Sequence, residues 1–395
     1  MIIHNGLVFG PDCTFTKGDI AFENGIITQI EPSGSLAGDG FDAEGAYVLP
    51  GFVDIHTHGC MNSDLCDADP AGLEKILAEY GKNGVTSVVP ATMAYGEEVL
   101  SGIVRAATPY FGKYGYGAVL RGLNMEGPFL NAVKCGAQNP ENIIAPDIGI
   151  YERLQELSGG NIRLLDIAPE IPGSMELIRR AAKDCAVSIA HTSADYDTAI
   201  AAFEAGASHV THLFNAMPAF NHREPGVIGA ASDRAAYVEI VSDGIHLHPA
   251  VVRAVFRLFG VSRVCLVSDS MRGTGMPDGE YELGGLPIIL KDGKSILKHG
   301  GAIAGSARNL PDCCRSAVKF GILLENALRA ASLNPAKAVK LDNIVGSLEI
   351  GKNADIVIWN RDLSTRAVFS GGKLLRNVTV QGPPPNAAQP ASMHG

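Results

Sequence analysis

The chain has 395 residues, 46% hydrophobic and 19% charged, which provides for one large domain with a smaller one and is too apolar for an intrinsically disordered chain. Thirty-two basic against 42 acidic residues leave a net charge of −10, which argues against a nucleic-acid-binding protein. No apolar run approaches the roughly 18 residues of a spanning helix, the first residues lack the pattern of a signal peptide, and the eight cysteines include no C-x-x-C pair. The expectation is a soluble cytoplasmic protein with reduced thiols and no membrane or nucleic-acid partner.

Residues 1–49 read as short strands: Leu7–Phe9, Asp19–Phe22 and Ile26–Ile30, the last two joined by Asn24-Gly25, a strong hairpin signal. Ala354–Trp359 reads as another strand, and Arg366–Leu375 as a hairpin around Gly371-Gly372. Residues 1–49 and 344–381 are therefore expected to pair into one small β-domain, followed by a disordered Pro- and Ala-rich tail at 382–395. Between 50 and 343, short apolar runs alternate with helical patterns. The runs are Phe52–Ile55, Val85–Pro90, Val119–Met125, Ile162–Ala168, Ala186–Ala190, His209–Leu213, Tyr237–Val241 and Val264–Val267. Helices are predicted over Ala71–Lys82, Ser174–Lys183, Asp197–Ala205 and Pro249–Phe259. Eight such runs suggest an α/β protein with a (β/α)8 TIM barrel; a doubly wound sheet is the alternative, without a glycine-rich dinucleotide fingerprint to support it.

Several runs end in residues of metal or acid–base chemistry. The first ends in His56-Thr57-His58, the third in Glu126, the fifth in His191, the sixth in His212 and the eighth in Asp269, while Asp243 and His246 follow the seventh. In a barrel these ends converge on the C-terminal face, where such enzymes build their sites. His-x-His on a strand puts both imidazoles on one face, an arrangement suited to a divalent transition metal. Each element alone is weak; together they point to a metal centre. His209 falls on the opposite strand face from His212 and is read as structural.

Longer motifs then resemble a known family. Val48-Leu49-Pro50-Gly51-Phe52-Val53-Asp54-Ile55-His56-Thr57-His58-Gly59 is a general amidohydrolase signature. Met125-Glu126-Gly127-Pro128-Phe129, Lys134-Cys135-Gly136-Ala137-Gln138, Thr211-His212-Leu213-Phe214-Asn215-Ala216-Met217, Arg223-Glu224-Pro225-Gly226, Ser242-Asp243-Gly244-Ile245-His246, Ser268-Asp269-Ser270-Met271-Arg272 and Ala304-Gly305-Ser306 are similar to the N-acetylglucosamine-6-phosphate deacetylases of that superfamily.

The resemblance covers nearly the whole chain. It implies a barrel with a small β-sandwich made from both chain ends, hydrolysis of N-acetylglucosamine 6-phosphate to glucosamine 6-phosphate and acetate, and a homodimer. It implies Glu126, His191 and His212 as principal metal ligands, His56 and His58 as ligands of a second metal, and Asp269 as general base and acid. Sugar-phosphate contacts fall on Asn215, Ala216, Arg223 and His246, the arginine reaching across from a neighbouring subunit in some relatives. Sugar-binding loops fall on Ala137, Gln138, Ile303, Ala304, Gly305 and Ser306. One or two divalent cations per subunit are implied, Zn2+ first, with Fe2+, Mn2+ or Co2+ as alternatives. Gln138 stands where some relatives carry His, and Ser270 where Ala is common. The alternative substrates are N-acetylgalactosamine 6-phosphate, or another amide within the superfamily.

Overall fold

A computed structural model describes residues 1–378; the tail at 382–395 lies outside the described residues. The barrel strands are Phe52–Asp54, Val85–Val88, a third split into Val119–Leu120 and Leu123–Glu126, then Ile162–Ile167, Ala186–Ile189, His209–Val210, Tyr237–Ile240 and Val264–Leu266, all paired in parallel. The third strand is split because Val119–Leu120 pairs with the second strand and Leu123–Glu126 with the fourth, with Arg121-Gly122 as the step between them. The ring closes between its last and first strands, where the His56 carbonyl accepts the Asp269 N–H (2.9 Å) and the Ser270 carbonyl accepts the His58 N–H (2.7 Å).

A helix follows each strand: Pro70–Asn83, Glu97–Ala107, Ile148–Leu157, Ser174–Ala181, Tyr196–Ala205, Gly226–Asp233, Pro249–Phe259 and Leu310–Lys319. Their starts are written locally. Asp69 caps the first helix by accepting the Ala71 and Gly72 N–H groups, with Pro70 in the first turn, and Asp147, Asp195 and Asn309 cap three others. Strand alternation divides the barrel into two faces. Val238 and Ile240 pack outward into the cluster that holds the helices, whereas Val241 joins Val53, Ile55, Val89, Leu164, Ala186, Cys265 and Val267 in a separate interior cluster. Ala336, within the short helix Leu333–Ala338, and Val339, Leu341 and Val345 just after it belong to that interior cluster too, so this segment plugs one end of the barrel.

The two chain ends build one sheet in the order Lys373–Asn377, Thr365–Ser370, Ile356–Trp359, Tyr47–Pro50, Ile2–Phe9, Phe15–Glu23, Ile26–Pro32, with Gly40–Asp42 also paired to Ile2–Phe9. Asn24 (φ 51°) and Gly25 (φ 81°) form one hairpin turn, and Gly371 (φ 53°) and Gly372 (φ 73°) the other, the positive-φ pairs that match the twist of the flanking strands. Phe22 and Phe369 lie on strands separated by three others, yet their rings pack 5.8 Å apart. Both layers of the β-sandwich therefore come from one continuous sheet folded over itself. A three-stranded antiparallel insert that the sequence reading did not anticipate, Gly279–Leu283, Leu286–Lys291 and Lys294–Leu297, follows the eighth strand and packs Leu283, Ile288 and Leu290 on Met93, Met271 and Ala304. Among the described residues, no helix is long and apolar enough to cross a membrane.

Candidate metal centre and active site

The strand ends bring His56, His58, Glu126, His191, His212 and Asp269 together. His191 (φ 43°), His212 (φ 28°) and Asp269 (φ 48°) sit just past their strands in left-handed backbone, which turns side chains inward that simple alternation would send elsewhere. This revises the face argument for the sixth strand. It ends at Val210, so His209 and His212 both point into the barrel, His209 one layer deeper with Nε2 3.1 Å from Glu239 Oε1.

Glu126 divides its carboxylate between two histidine pairs. Its Oε1 lies 3.0 Å from His191 Nε2 and 3.3 Å from His212 Nε2, and the two imidazole nitrogens are 3.1 Å apart. Ligands about 2.0–2.1 Å from a tetrahedral ion stand about 3.3 Å from one another, so this triangle has the dimensions of three corners around a cation and leaves the fourth for solvent or substrate. Its Oε2 lies 3.3 Å from His58 Nε2 and 3.5 Å from His56 Nε2, and Asp269 Oδ1 is 3.3 Å from His58 Nε2. His56 Nε2 and Glu126 Oε2 are buried with no hydrogen-bond partner in the protein. Buried polar atoms are rarely left so, and a shared cation satisfies them. The donor set, imidazole and carboxylate, fits a borderline divalent metal in one or two positions.

Hydrogen bonds at the far ring atoms orient two ligands. His191 Nδ1–H donates to the Lys134 carbonyl (3.0 Å), and His56 Nδ1–H to Glu239 Oε2 (2.9 Å), so both rings present Nε2 to the centre. The loop carrying Lys134 passes over His191 at Gly136, where φ is 60° and a Cβ would stand 3.3 Å from the ring. Burial pushes the Asp269 carboxyl up, but the His58 hydrogen bond and the neighbouring charge of His56, His58 and His246 more than offset it, leaving Asp269 below the usual carboxylate range. Burial works against a charged His246, yet the Asp243 carboxylate 2.8 Å from its Nδ1 holds its pKa above the ordinary value.

A cavity of about 300 Å³ opens over this centre, lined by His58, Glu126, Ala137, Gln138, His191, His212, Asn215, Ala216, His246, Asp269, Ile303 and Gly305, with Met93, Phe214 and Leu283 among its apolar walls. Ala304 and Ser306 are buried behind that wall, Ser306 Oγ donating to the Ser268 carbonyl (2.6 Å). Arg223 is the exception among the expected contacts. The chain leaves the site after Ala216 and runs outward through Pro218, so Arg223 lines a second cavity with Asp195, Asn221 and Glu224, and no arginine or lysine is among the residues lining the first. The sequence reading missed Glu239 and left Asp243 without a role. The available signal for Glu239 was one charged residue in the apolar run Tyr237–Ile240.

The amidohydrolase family model matches residues 47–375. The N-acetylglucosamine-6-phosphate deacetylase of Lysinibacillus sphaericus is 32% identical over 95% of this chain and 97% of its own. The N-acetylgalactosamine-6-phosphate deacetylase of Escherichia coli O157:H7 is 31% identical over 89% and 93%. Among solved structures, a mutant N-acetyl-D-glucosamine-6-phosphate deacetylase from Mycobacterium smegmatis in complex with N-acetyl-D-glucosamine-6-phosphate aligns with a TM-score of 0.90 at 30% identity, covering 95% of this chain and 99% of that one. The matched segment holds the barrel and every converging ligand, and by it the chain belongs to the amidohydrolase family.

Proposed function

We propose that this protein hydrolyses the acetamide of N-acetylglucosamine 6-phosphate, releasing glucosamine 6-phosphate and acetate. The observation that carries the reading is the convergence of Glu126, His191 and His212 beside a buried Asp269 at the floor of an open cavity, in a chain whose full-length relatives bear that activity. Glu126, His191 and His212 are the residues that would hold one divalent cation, and His56 and His58, with the other Glu126 oxygen, a second. Zn2+ suits the donors best, with Fe2+, Mn2+ or Co2+ as alternatives. Such an ion, when bound, supplies Lewis-acid polarisation of the amide carbonyl and acidifies water.

The chain's own residues supply the rest. Asp269, ionised by its surroundings, accepts the proton of the attacking water and returns it to the amine nitrogen as the C–N bond breaks, a shuttle worth about 10²–10⁴-fold. His246, oriented by Asp243, turns its Nε2 toward the reacting centre, 4.0 Å from Asp269 Oδ2. Gln138 Oε1 accepts the Ala94 N–H (2.7 Å), which leaves the Gln138 amide N–H groups to donate to the sugar. Asn215, Ala216, Ala137, Ile303 and Gly305 shape the sugar walls, with Ala304 and Ser306 bracing them.

The cavity has no lysine or arginine of its own for the phosphate, and Arg223 stands outside it. We read Arg223 as the phosphate ligand of a neighbouring subunit's cavity in a homodimer. Two units are read within the chain, 1–49 with 344–381 and the hydrolase barrel at 50–343; the sheet's own cluster of Ile3, Ile20, Val48, Ile356 and Phe369 supports the first, while Phe9, Leu49, Val357 and Trp359 pack with the barrel's helices and join the two. Eight free cysteines support a reducing, cytoplasmic setting. The test is acetate release from the gluco and galacto 6-phosphates. A higher kcat/KM on the gluco epimer is expected; preference for the galacto epimer overturns the substrate, and no acetate from either overturns the reaction.

A further inference from the structure

Glu239 is the one charged residue of the strand Tyr237–Ile240, and its carboxylate is fully buried inside the barrel, beneath the cavity rather than in it. Three groups hold it. Oε1 faces His209 Nε2 at 3.1 Å; Oε2 accepts the His56 Nδ1–H at 2.9 Å and, more weakly, the His212 backbone N–H at 3.3 Å. A buried carboxylate is costly unless fully hydrogen-bonded, and a barrel interior is ordinarily filled by branched apolar side chains. Its position therefore calls for a reason, and its partners supply one. It joins one residue of each histidine pair, through a ring at His56 and a backbone amide at His212. The ligands are not treated alike: His56 Nδ1 meets a carboxylate, His191 Nδ1 a carbonyl, and His58 Nδ1 and His212 Nδ1 have no partner in the protein.

We infer that Glu239 is a positioning residue for the second metal position: anchored from below by His209, it fixes His56 as the Nδ1–H tautomer and aims the partnerless Nε2 at Glu126 Oε2. The one ring with an Nδ1 partner at that position, His56, is held by Glu239, whereas at the Glu126–His191–His212 position the ring so held, His191, is held by the Lys134 carbonyl, so the second position depends on Glu239 more. The inference rests on the two-position reading given above. Partners of this kind behind a metal ligand are typically worth 10–100-fold in metal affinity.

The test is stepwise Zn2+ binding to the chelator-stripped full-length protein, measured against a competing chelator, with zinc per chain counted by elemental analysis, for wild type and Glu239→Gln. Glutamine keeps the volume but has one acceptor oxygen where the carboxylate has two, so its amide N–H groups meet the donating N–H of either His56 or His209 and the hold on the His56 tautomer, or its anchor, is lost. The expected result is two zinc ions per wild-type chain, with the weaker step losing about 10–100-fold in E239Q and the tighter step unchanged. Two wild-type steps that E239Q leaves as they were overturn the role of Glu239 while sparing the two-position site. A single zinc per wild-type chain overturns the two-position site itself and this inference with it. Should E239Q fail to fold, long-range proton–nitrogen correlation spectra of histidine-labelled, chelator-stripped wild type, recorded where the His56 ring is neutral, decide the matter. Protonation of His56 at Nδ1 supports the assignment, and at Nε2 contradicts it.

Discussion

Buried carboxylates occur in two regions of this molecule, and they are treated differently. In the folded sheet, Asp19 accepts the Asn5, Gly34 and Leu36 N–H groups, and Asp355 meets the Arg121 guanidinium (3.1 Å) and the Gly371 N–H (2.7 Å). Both oxygens of each of these two carboxylates have a partner. In the barrel mouth, Glu126 Oε2, Asp166 Oδ2 and Asn124 Oδ1 have none within the protein, nor does His56 Nε2. The apolar packing differs too: Ile3, Ile20, Val48, Ile356 and Phe369 make a closed cluster in the sheet, whereas His56, His209 and Glu239 fill the barrel above Val53 and Leu164. The sheet satisfies its buried carboxylates internally, leaving only the neutral Trp359 Nε1 and Ser370 Oγ without a partner among the described residues, and is built for stability. The barrel mouth leaves polar atoms waiting for something the chain does not contain.

Substitutions in the two regions should separate activity from stability. Asp269→Asn should lower kcat by about 10²–10⁴-fold in an acetate-release assay, with an unchanged unfolding midpoint. A near-wild-type rate would remove Asp269 from the proton shuttle. In the sheet, Phe369→Ala should cost about 3–5 kcal/mol in urea unfolding while kcat per folded molecule stays the same. A matching loss of kcat would show that the two regions are not independent. Arg223→Ala should raise KM for the phosphorylated sugar by an amount equivalent to about 1.5–3 kcal/mol and spare the unphosphorylated one. Equal losses on both sugars would count against a phosphate contact.

The smallest effect is expected at Asp19. Burial raises its pKa, but three backbone N–H groups more than compensate, so its folded value lies below the unfolded value of about 3.9. A depressed folded pKa contributes stability above the unfolded value, lost as pH falls through the folded one. Asp19→Asn should therefore cost about 1–3 kcal/mol at pH 7 and progressively less below about pH 4. A constant difference across that range would mean that the hydrogen bonds do not favour the ionised form.

Much of this was legible from residue order because barrels put chemistry at strand ends. The apolar runs located the strands, and the residues ending them supplied His56, His58, Glu126, His191, His212 and Asp269. The less legible parts have physical causes. Left-handed backbone at His191, His212 and Asp269 is imposed by surrounding contacts, so strand alternation placed His209 on the wrong face. The insert at 279–297 carried its own signal in Gly284-Gly285 and Asp292-Gly293, two-residue turns between apolar alternations, which went unused. Arg223 could not be placed, because a loop's course depends on long-range packing rather than on its own sequence.

The most direct test of the central claim is anomalous X-ray diffraction from crystals of the active, metal-loaded protein. The account predicts a peak about 2.0–2.2 Å from Glu126 Oε1, His191 Nε2 and His212 Nε2 together. Active crystals with no metal at those three atoms would contradict it.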